Sequence, residues 1–172
     1  MRRIRYCVAM SLDGYIAGPH DEADWIVMDP DMNFAELWSQ FDTLLMGRRT
    51  YEAAVSRLGP TAMRGTSVVV ASRTFRHEDH PDITIIPDLN HSELQALRQQ
   101  NGKDIWMMGG GDLFRYLLTL QQVDTVEVSI VPVLLGEGVP LLPPIEKRTN
   151  LKLTEHKVYH SGVVALTYQV NL

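Results

Sequence analysis

Three segments of the sequence place glycines, arginines and hydroxyls where an apolar strand gives way to a helical pattern. In IWMMGGGDLF, Gly109, Gly110 and Gly111 follow a run of large apolar residues. Glycines there let the chain turn with positive φ, and the helix that follows aims its free N–H groups and positive dipole end at an anion. A diphosphate suits that layout; a tight turn with no ligand is the competing reading. LLMGRRTYE sets Gly47, Arg48, Arg49 and Thr50 at a second junction, where two guanidinium groups and a hydroxyl can meet phosphate oxygens. VVVASRTF adds a third strand, ending in Ser72 and Arg73. Each arginine alone reads as a solvated surface charge. Together, at the ends of three strands of one sheet, they describe a crevice for an extended, multiply phosphorylated ligand.

Other candidates carry less chemistry. HEDH brings His77 and His80 around Glu78 and Asp79, but in a polar stretch ending at Pro81 and without the i, i+4 histidine spacing of a helical metal site. A solvated loop is expected there, and no metal. Cys7 is the only cysteine; within an apolar run it reads as a small buried hydrophobe and excludes an internal disulfide. No serine lies in a nucleophile elbow. Trp25, Phe34 and Trp38 offer an apolar wall for a flat ring, or core.

The elements that must position these residues alternate. RIRYCVAM, TLLMG, TSVVVAS, ITIIP and DIWMM read as strands, and the nearly all-apolar ones as covered on both faces. MNFAELWSQF, RRTYEAAVSRLG, SELQALRQQNG and DLFRYLLTLQQ read as helices. The second stops at Gly59 and Pro60, and the third opens on a capping Ser92 and closes at Gly102. After Val123 the pattern turns β-rich: DTVEVSIVPVLLGEG and LKLTEHKVYHSGVVALTYQV read as antiparallel strands with a turn at Ser161 and Gly162. LLGEGVPLLPPIEKRT reads as a surface connection or an oligomer contact. The implied architecture is α/β, a mixed sheet with helices on both sides, in a single domain over residues 1–172.

Composition sets outer bounds. With 45% hydrophobic and 22% charged residues, the chain has the make-up of a soluble domain with one substantial core. A net charge of -5 disfavours nucleic acid or an anionic membrane as partner, which leaves a small molecule. The apolar run in MRRIRYCVAMSLDG is too short for a signal peptide or a membrane span, so a cytoplasmic location is expected.

Taken in order, CVAMSLDGYIAG, DTLLMGRRTYE, VVVASRTF, IWMMGGGDLF and VDTVEVSIVPVLLGEGVPLL resemble the dihydrofolate-reductase-like superfamily. The nearer resemblance is to the branch that holds the reductase domain of bacterial riboflavin biosynthesis and many stand-alone reductase-like proteins. It covers almost the whole chain. It implies a three-layer αβα fold, with a mainly parallel eight-stranded sheet and one antiparallel strand at the end. It also implies an oxidoreductase that binds NADPH across the strand ends and reduces a small pterin- or pyrimidine-like heterocycle, as dihydrofolate reductase or 5-amino-6-(5-phosphoribosylamino)uracil reductase does.

The resemblance also distributes roles. It sets Ala9 and Ile16 beside the nicotinamide, Gly47, Arg48, Arg49 and Thr50 at the diphosphate and 2'-phosphate region, and Ser72 and Arg73 next to the adenosine 2'-phosphate. Gly109, Gly110, Gly111, Asp112 and Leu113 wrap the diphosphate from the other side. Asp112 departs from the family, in which a basic or neutral residue often follows the glycines; a carboxylate there must face away or cap the helix. Asp31 stands near the place of the catalytic, pterin-binding carboxylate, with Glu36 as competitor. Its position before a helix equally suits an N-cap or first-turn charge. The phosphosugar-binding pattern of the riboflavin reductase domain is not recognisable. A homodimer is expected through VEVSIVPVLLGEGVPLL, where related proteins commonly pair, although a core strand explains the same residues. The alternative is a nucleotide-binding module of the same fold without turnover.

Overall fold

The computed structural model describes residues 1–59 and 63–171. The apolar runs and helical patterns resolve, in chain order, into β1 (Ile4–Ser11), β2 (Tyr15–Ala17), α1 (Phe34–Ser39), β3 (Phe41–Gly47), α2 (Arg48–Leu58), β4 (Ser67–Ala71) and β5 (Thr84–Ile86). They continue with α3 (His91–Gln99), β6 (Asp104–Gly109), α4 (Gly111–Thr119), β7 (Thr125–Val131), β8 (Val139–Pro140), β9 (Asn150–Val158) and β10 (Val164–Asn171). Eight strands form one sheet in the order β5-β4-β3-β6-β1-β7-β10-β9. Every pairing from β5 to β7 is parallel, and β10 runs antiparallel to both β7 and β9, so a single strand is reversed, the last.

Alternation along each strand sends side chains to opposite faces, and both faces are covered in the first half of the sheet. From β3, Leu45 joins Leu94, Leu97, Phe114 and Leu117 of α3 and α4. Its neighbours Leu44 and Met46 join Leu37 and Trp38 of α1 and Tyr51, Ala54 and Val55 of α2 on the other side. This three-layer α/β/α arrangement explains why TLLMG and TSVVVAS are apolar without alternation. Cover thins towards the far edge, where every residue of β9 is exposed.

Several expectations change. The first helix is shorter than MNFAELWSQF, because Asn33 caps it and Phe41, 3% exposed, is already drawn into the core as the first residue of β3. Asn90 rather than Ser92 caps α3: its Oδ1 accepts from the Glu93 N–H at 3.1 Å, and the Ser92 hydroxyl donates to the same oxygen. Gly59 ends α2 with φ 78, and Pro60 lies outside the described residues. β7 is antiparallel only to β10 and parallel to β1, whereas the Ser161 and Gly162 turn joins β9 to β10 as expected. The 134–149 segment is more than a connection: it carries β8, which pairs with β2, and Leu141 and Leu142 pack on the core.

Candidate active site

Since β4, β3, β6 and β1 are parallel neighbours, their carboxyl ends form one edge of the sheet. Gly47 pairs with Ala71, the residue before Ser72, and Met46 pairs with Gly109. Ala9 lies near the end of β1, next to β6. The three junctions picked out by sequence are thus brought side by side. Neither α2 nor α4 has a side-chain cap at its start, so the first N–H groups of both helices remain available to an anion.

The three consecutive glycines have separate reasons. Gly109 has φ 121, which a side chain would strain, and no atom within 4 Å of where its Cβ would stand. Gly110, joined to it by a cis peptide, would set a Cβ 3.8 Å from the Thr50 hydroxyl and otherwise faces open space. At Gly111 the Cβ would fall 2.6 Å from the Pro140 carbonyl oxygen and 2.8 Å from Pro143 Cδ. What approaches Gly111 is therefore the chain's own 140–143 segment; only Gly109 and Gly110 are open to a ligand.

The cations around this edge are exposed. Arg48 pairs with Glu52 one turn along α2 at 3.0 Å. Arg49 reaches Asp21, in the loop after β2, at 3.1 Å. Arg73 is exposed just beyond β4. Ser72 is buried, and its oxygen accepts from the Phe75 N–H at 3.1 Å and the Thr74 N–H at 3.3 Å, so it shapes the turn that carries Arg73. Asp112 does not cap α4; it turns outward to Arg115 at 3.2 Å with its side chain 83% exposed. Leu113 packs against the core. Ile16, half-buried on β2, follows the SLDG turn, which is pinned where Asp13 accepts from Ser11 Oγ at 2.6 Å and the Gly136 N–H at 2.7 Å.

Beside this edge, between α1, the 26–33 loop and the sheet, lies a cavity of about 300 Å³. Its walls are apolar, with Ile26, Met28, Met32, Phe34, Leu37 and Trp106. Its floor is the sheet itself, where Cys7 pairs with Glu127 and Ala9 with Ser129. Ala9 is the one residue of the strand-end set that also lines the cavity. Of the expected aromatic wall, Phe34 is present, Trp38 packs behind Trp106 with ring centres 4.9 Å apart, and Trp25 lies outside, bonded to the Glu22 carbonyl.

Neither carboxylate expected from sequence lines this cavity. Asp31 is exposed, its N–H held by Asp29 Oδ1 at 2.9 Å, because the helix starts only after Asn33 and leaves Asp31 on the outer side of the loop. Glu36 is exposed and bonds to Asn33 at 3.2 Å. The acidic residue that does line the cavity is Glu127, which also lines a polar groove together with Arg5 and Thr125. Its Oε1 accepts from Arg5 Nε at 2.6 Å and Thr125 Oγ1 at 2.8 Å, and its Oε2 from Arg5 Nη2 at 2.8 Å. Burial alone would raise its pKa, but the Arg5 hydrogen bonds and charge hold it below the usual carboxylate range. Burial, then the Glu127 charge, pushes the Cys7 thiol well up, which suits an inert side chain. Sequence reading missed Glu127, although VEV and RIR, each a charge inside an apolar strand, carried the signal of a buried pair.

A second buried carboxylate holds the cavity's outer loop. Asp29, 4% exposed, accepts from the Ser161 N–H at 2.9 Å and the Asp31 N–H at 2.9 Å, which joins the 26–33 loop to the β9–β10 turn. The Ser161 hydroxyl beside it and these N–H groups hold its carboxyl below the usual range. In HEDH, His77 is exposed and His80 stacks on Phe75 at 4.1 Å. Among the described residues no group of three or more His, Cys, Asp or Glu is placed to hold a metal ion, and no helix is long and apolar enough to cross a membrane.

Comparison with known proteins agrees with this architecture. The uncharacterized protein YyaP of Bacillus subtilis (strain 168) is 36% identical over 181 residues, spanning 99% of this chain and 96% of that one. The fold matches a protein provisionally assigned to riboflavin biosynthesis from Shewanella sp. PV-4 with a TM-score of 0.85, at 24% identity and full coverage of both chains. It matches a dihydrofolate reductase from Enterococcus faecalis, solved with NADP(H), with a TM-score of 0.67 at 17% identity, over 99% of this chain and 97% of that one. The model of the RibD C-terminal domain matches residues 2–165. With the parallel sheet, the reversed last strand and the glycine junctions in place, the chain belongs to the RibD C-terminal domain family, within the dihydrofolate-reductase-like fold.

Proposed function

We propose that the protein is an NADPH-dependent reductase that delivers hydride to a small pterin- or pyrimidine-like heterocycle seated in the cavity beside Ala9. Family membership supports a reductase-like role. The observation that carries the finer reading is the position of Ala9, which belongs both to the strand-end row and to the cavity lining. A nicotinamide laid along that row would present its ring to the cavity. The residues fit such a cofactor: two uncapped helix starts, two open glycines and three exposed arginines face one edge. NADPH supplies the hydride; the chain binds the phosphates through Arg48, Arg49, Thr50 and Arg73, holds the ring near Ala9 and Ile16, and keeps water out with its apolar walls.

The test is titration with NADPH and NADH followed by nicotinamide fluorescence. NADPH is expected to bind at least about tenfold more tightly, and Arg48→Ala or Arg73→Ala to raise its dissociation constant. An unchanged constant in both variants removes the phosphate site.

One observation favours the alternative, a nucleotide-binding module without turnover: Asp31 and Glu36 both stand outside the cavity. Saturable NADPH binding with no substrate-dependent loss of absorbance across a pterin and pyrimidine panel would establish it. We further propose a cytoplasmic homodimer. The fully exposed edge strand β9, with Leu151, Leu153 and Val158 uncovered, supports it and offers a longer surface than the apolar VEVSIVPV run, which is mostly occupied as the interior strand β7. Light scattering is expected to give twice the 19.5 kDa chain mass.

A further inference from the structure

The strand register carries the cavity floor out to the edge of the sheet. Ala9 of β1 pairs with Ser129 of β7, Ser129 with Ala165 of β10, and Ala165 with Lys157 of β9. Residues paired across a ladder send their side chains to the same face. Ala9, Ser129 and Ala165 line the cavity, so Lys157 stands on the cavity's face of the sheet, one strand beyond the lining. Tyr159 faces the same way: its N–H donates to the Val163 carbonyl at 2.9 Å, and both residues line the cavity. The Lys157 ammonium lies 4.4 Å from the centre of the Tyr159 ring, a cation–π contact that holds it at the outer rim.

No Lys, Arg or His lines the cavity, and the charge of its one acidic residue is answered by Arg5. Lys157 makes no ion pair among the described residues. The other groups near it that can carry charge are Glu155, on the same face opposite Thr167, and His160 in the turn beside Asp29. A ring laid over Ala9 and Ser129 sits between largely apolar walls. Three strand spacings, about 14 Å, separate Ala9 from the β9 backbone, and the lysine stem spans part of that gap. A substituent that extends a few bonds beyond the ring along this row arrives at Lys157. An anionic one meets a cation with no carboxylate partner, and a cationic one meets like charge.

Resting on the reductase reading and extending it to the substrate, we propose that Lys157, held on Tyr159, is a specificity-determining residue that selects ring substrates bearing an anionic group on the side towards β9. The terminal β9–β10 hairpin supplies this selection, apart from the glycine and arginine junctions at the strand ends.

Three probes share one bicyclic ring and differ in charge near neutral pH: indole-3-acetate is anionic, 3-methylindole neutral and tryptamine cationic. Their binding to the full chain is read by calorimetry. In the wild type, indole-3-acetate is expected to bind about fivefold more tightly than tryptamine, with 3-methylindole between, and the gap is expected to shrink in high salt. Lys157→Met keeps the length of the stem and is expected to reduce that ratio to about twofold or less, whereas Lys157→Arg retains it. Lys157 is exposed, so neither substitution disturbs the core. Equal affinities, a reversed order or no binding of indole-3-acetate in the wild type overturns the proposal. So does an unaltered ratio in Lys157→Met. NADPH binding is measured separately: absence of probe selectivity with intact NADPH binding removes this inference alone, and selectivity without NADPH binding removes the reductase reading alone.

Discussion

The backbone of Pro140 closes over Gly111, its carbonyl oxygen 2.6 Å from the point where a side chain on residue 111 would begin. The last glycine of the run is therefore set by packing between α4 and the 140–143 segment. Gly111→Ala must push that segment away, and overpacking of this kind costs about 1–3 kcal/mol. Chemical denaturation is expected to show that loss; a midpoint within error of wild type would mean that the contact yields freely.

Arg49, at the start of α2, is engaged by Asp21 of the loop after β2, with both side chains largely exposed at 72% and 46%. A pair this open contributes little to stability, under about 1 kcal/mol. Asp21→Asn is expected to leave the melting temperature nearly unchanged and to tighten NADPH binding by about twofold to fivefold at low salt, because the freed guanidinium turns to a phosphate. Weaker binding would mean that Asp21 orders the loop rather than competing for Arg49.

The Arg5 and Glu127 pair is buried at 9% and 15% side-chain exposure. Removing one partner strands the other, so Glu127→Ala is expected to cost about 3 kcal/mol. The double change Arg5→Met with Glu127→Leu removes both charges and should cost less than either single truncation. Additive losses in the cycle would show that the pair contributes through packing alone.

Asp29 ties the cavity's outer loop to the β9–β10 turn, and its folded pKa lies below its ordinary value. A depressed carboxyl pKa contributes stability above the unfolded-state value, near 4, and loses it as pH falls through the folded one. The stability gap between wild type and Asp29→Asn is accordingly expected to be widest near neutral pH and to narrow progressively as pH falls below about 4. A gap that does not narrow at all as pH falls below about 4 would assign the effect to shape rather than charge.

Much of the fold was legible because local patterns and global arrangement agree. Short apolar runs without alternation that end at glycine, such as TLLMG, suit strands covered on both faces, and the glycine junctions mark where strand gives way to helix. Caps were less legible: Asn90 and Ser92 both have capping side chains, and which one leads depends on where the chain leaves β5. The short β2 and β8 were invisible, since strands of three and two residues carry no period and exist only because each finds the other.

The sequence by itself determined the chemistry of the strand-end row. Gly47, Arg48, Arg49, Thr50, Ser72, Arg73 and Gly109 to Gly111 sit within a few residues of their strands' ends, so a parallel sheet must gather them on one edge. Only the tertiary structure decided the interior of the cavity. Asp31 and Glu127 are both carboxylates flanked by apolar residues, and local spacing favours Asp31. Whether a side chain faces a cavity or solvent depends on where α1 begins and on which face of β7 lies beside Cys7 of β1. Those are long-range relations across some 120 residues of chain, set by strand register and helix docking, and a one-residue shift in either would exchange the inner and outer sets.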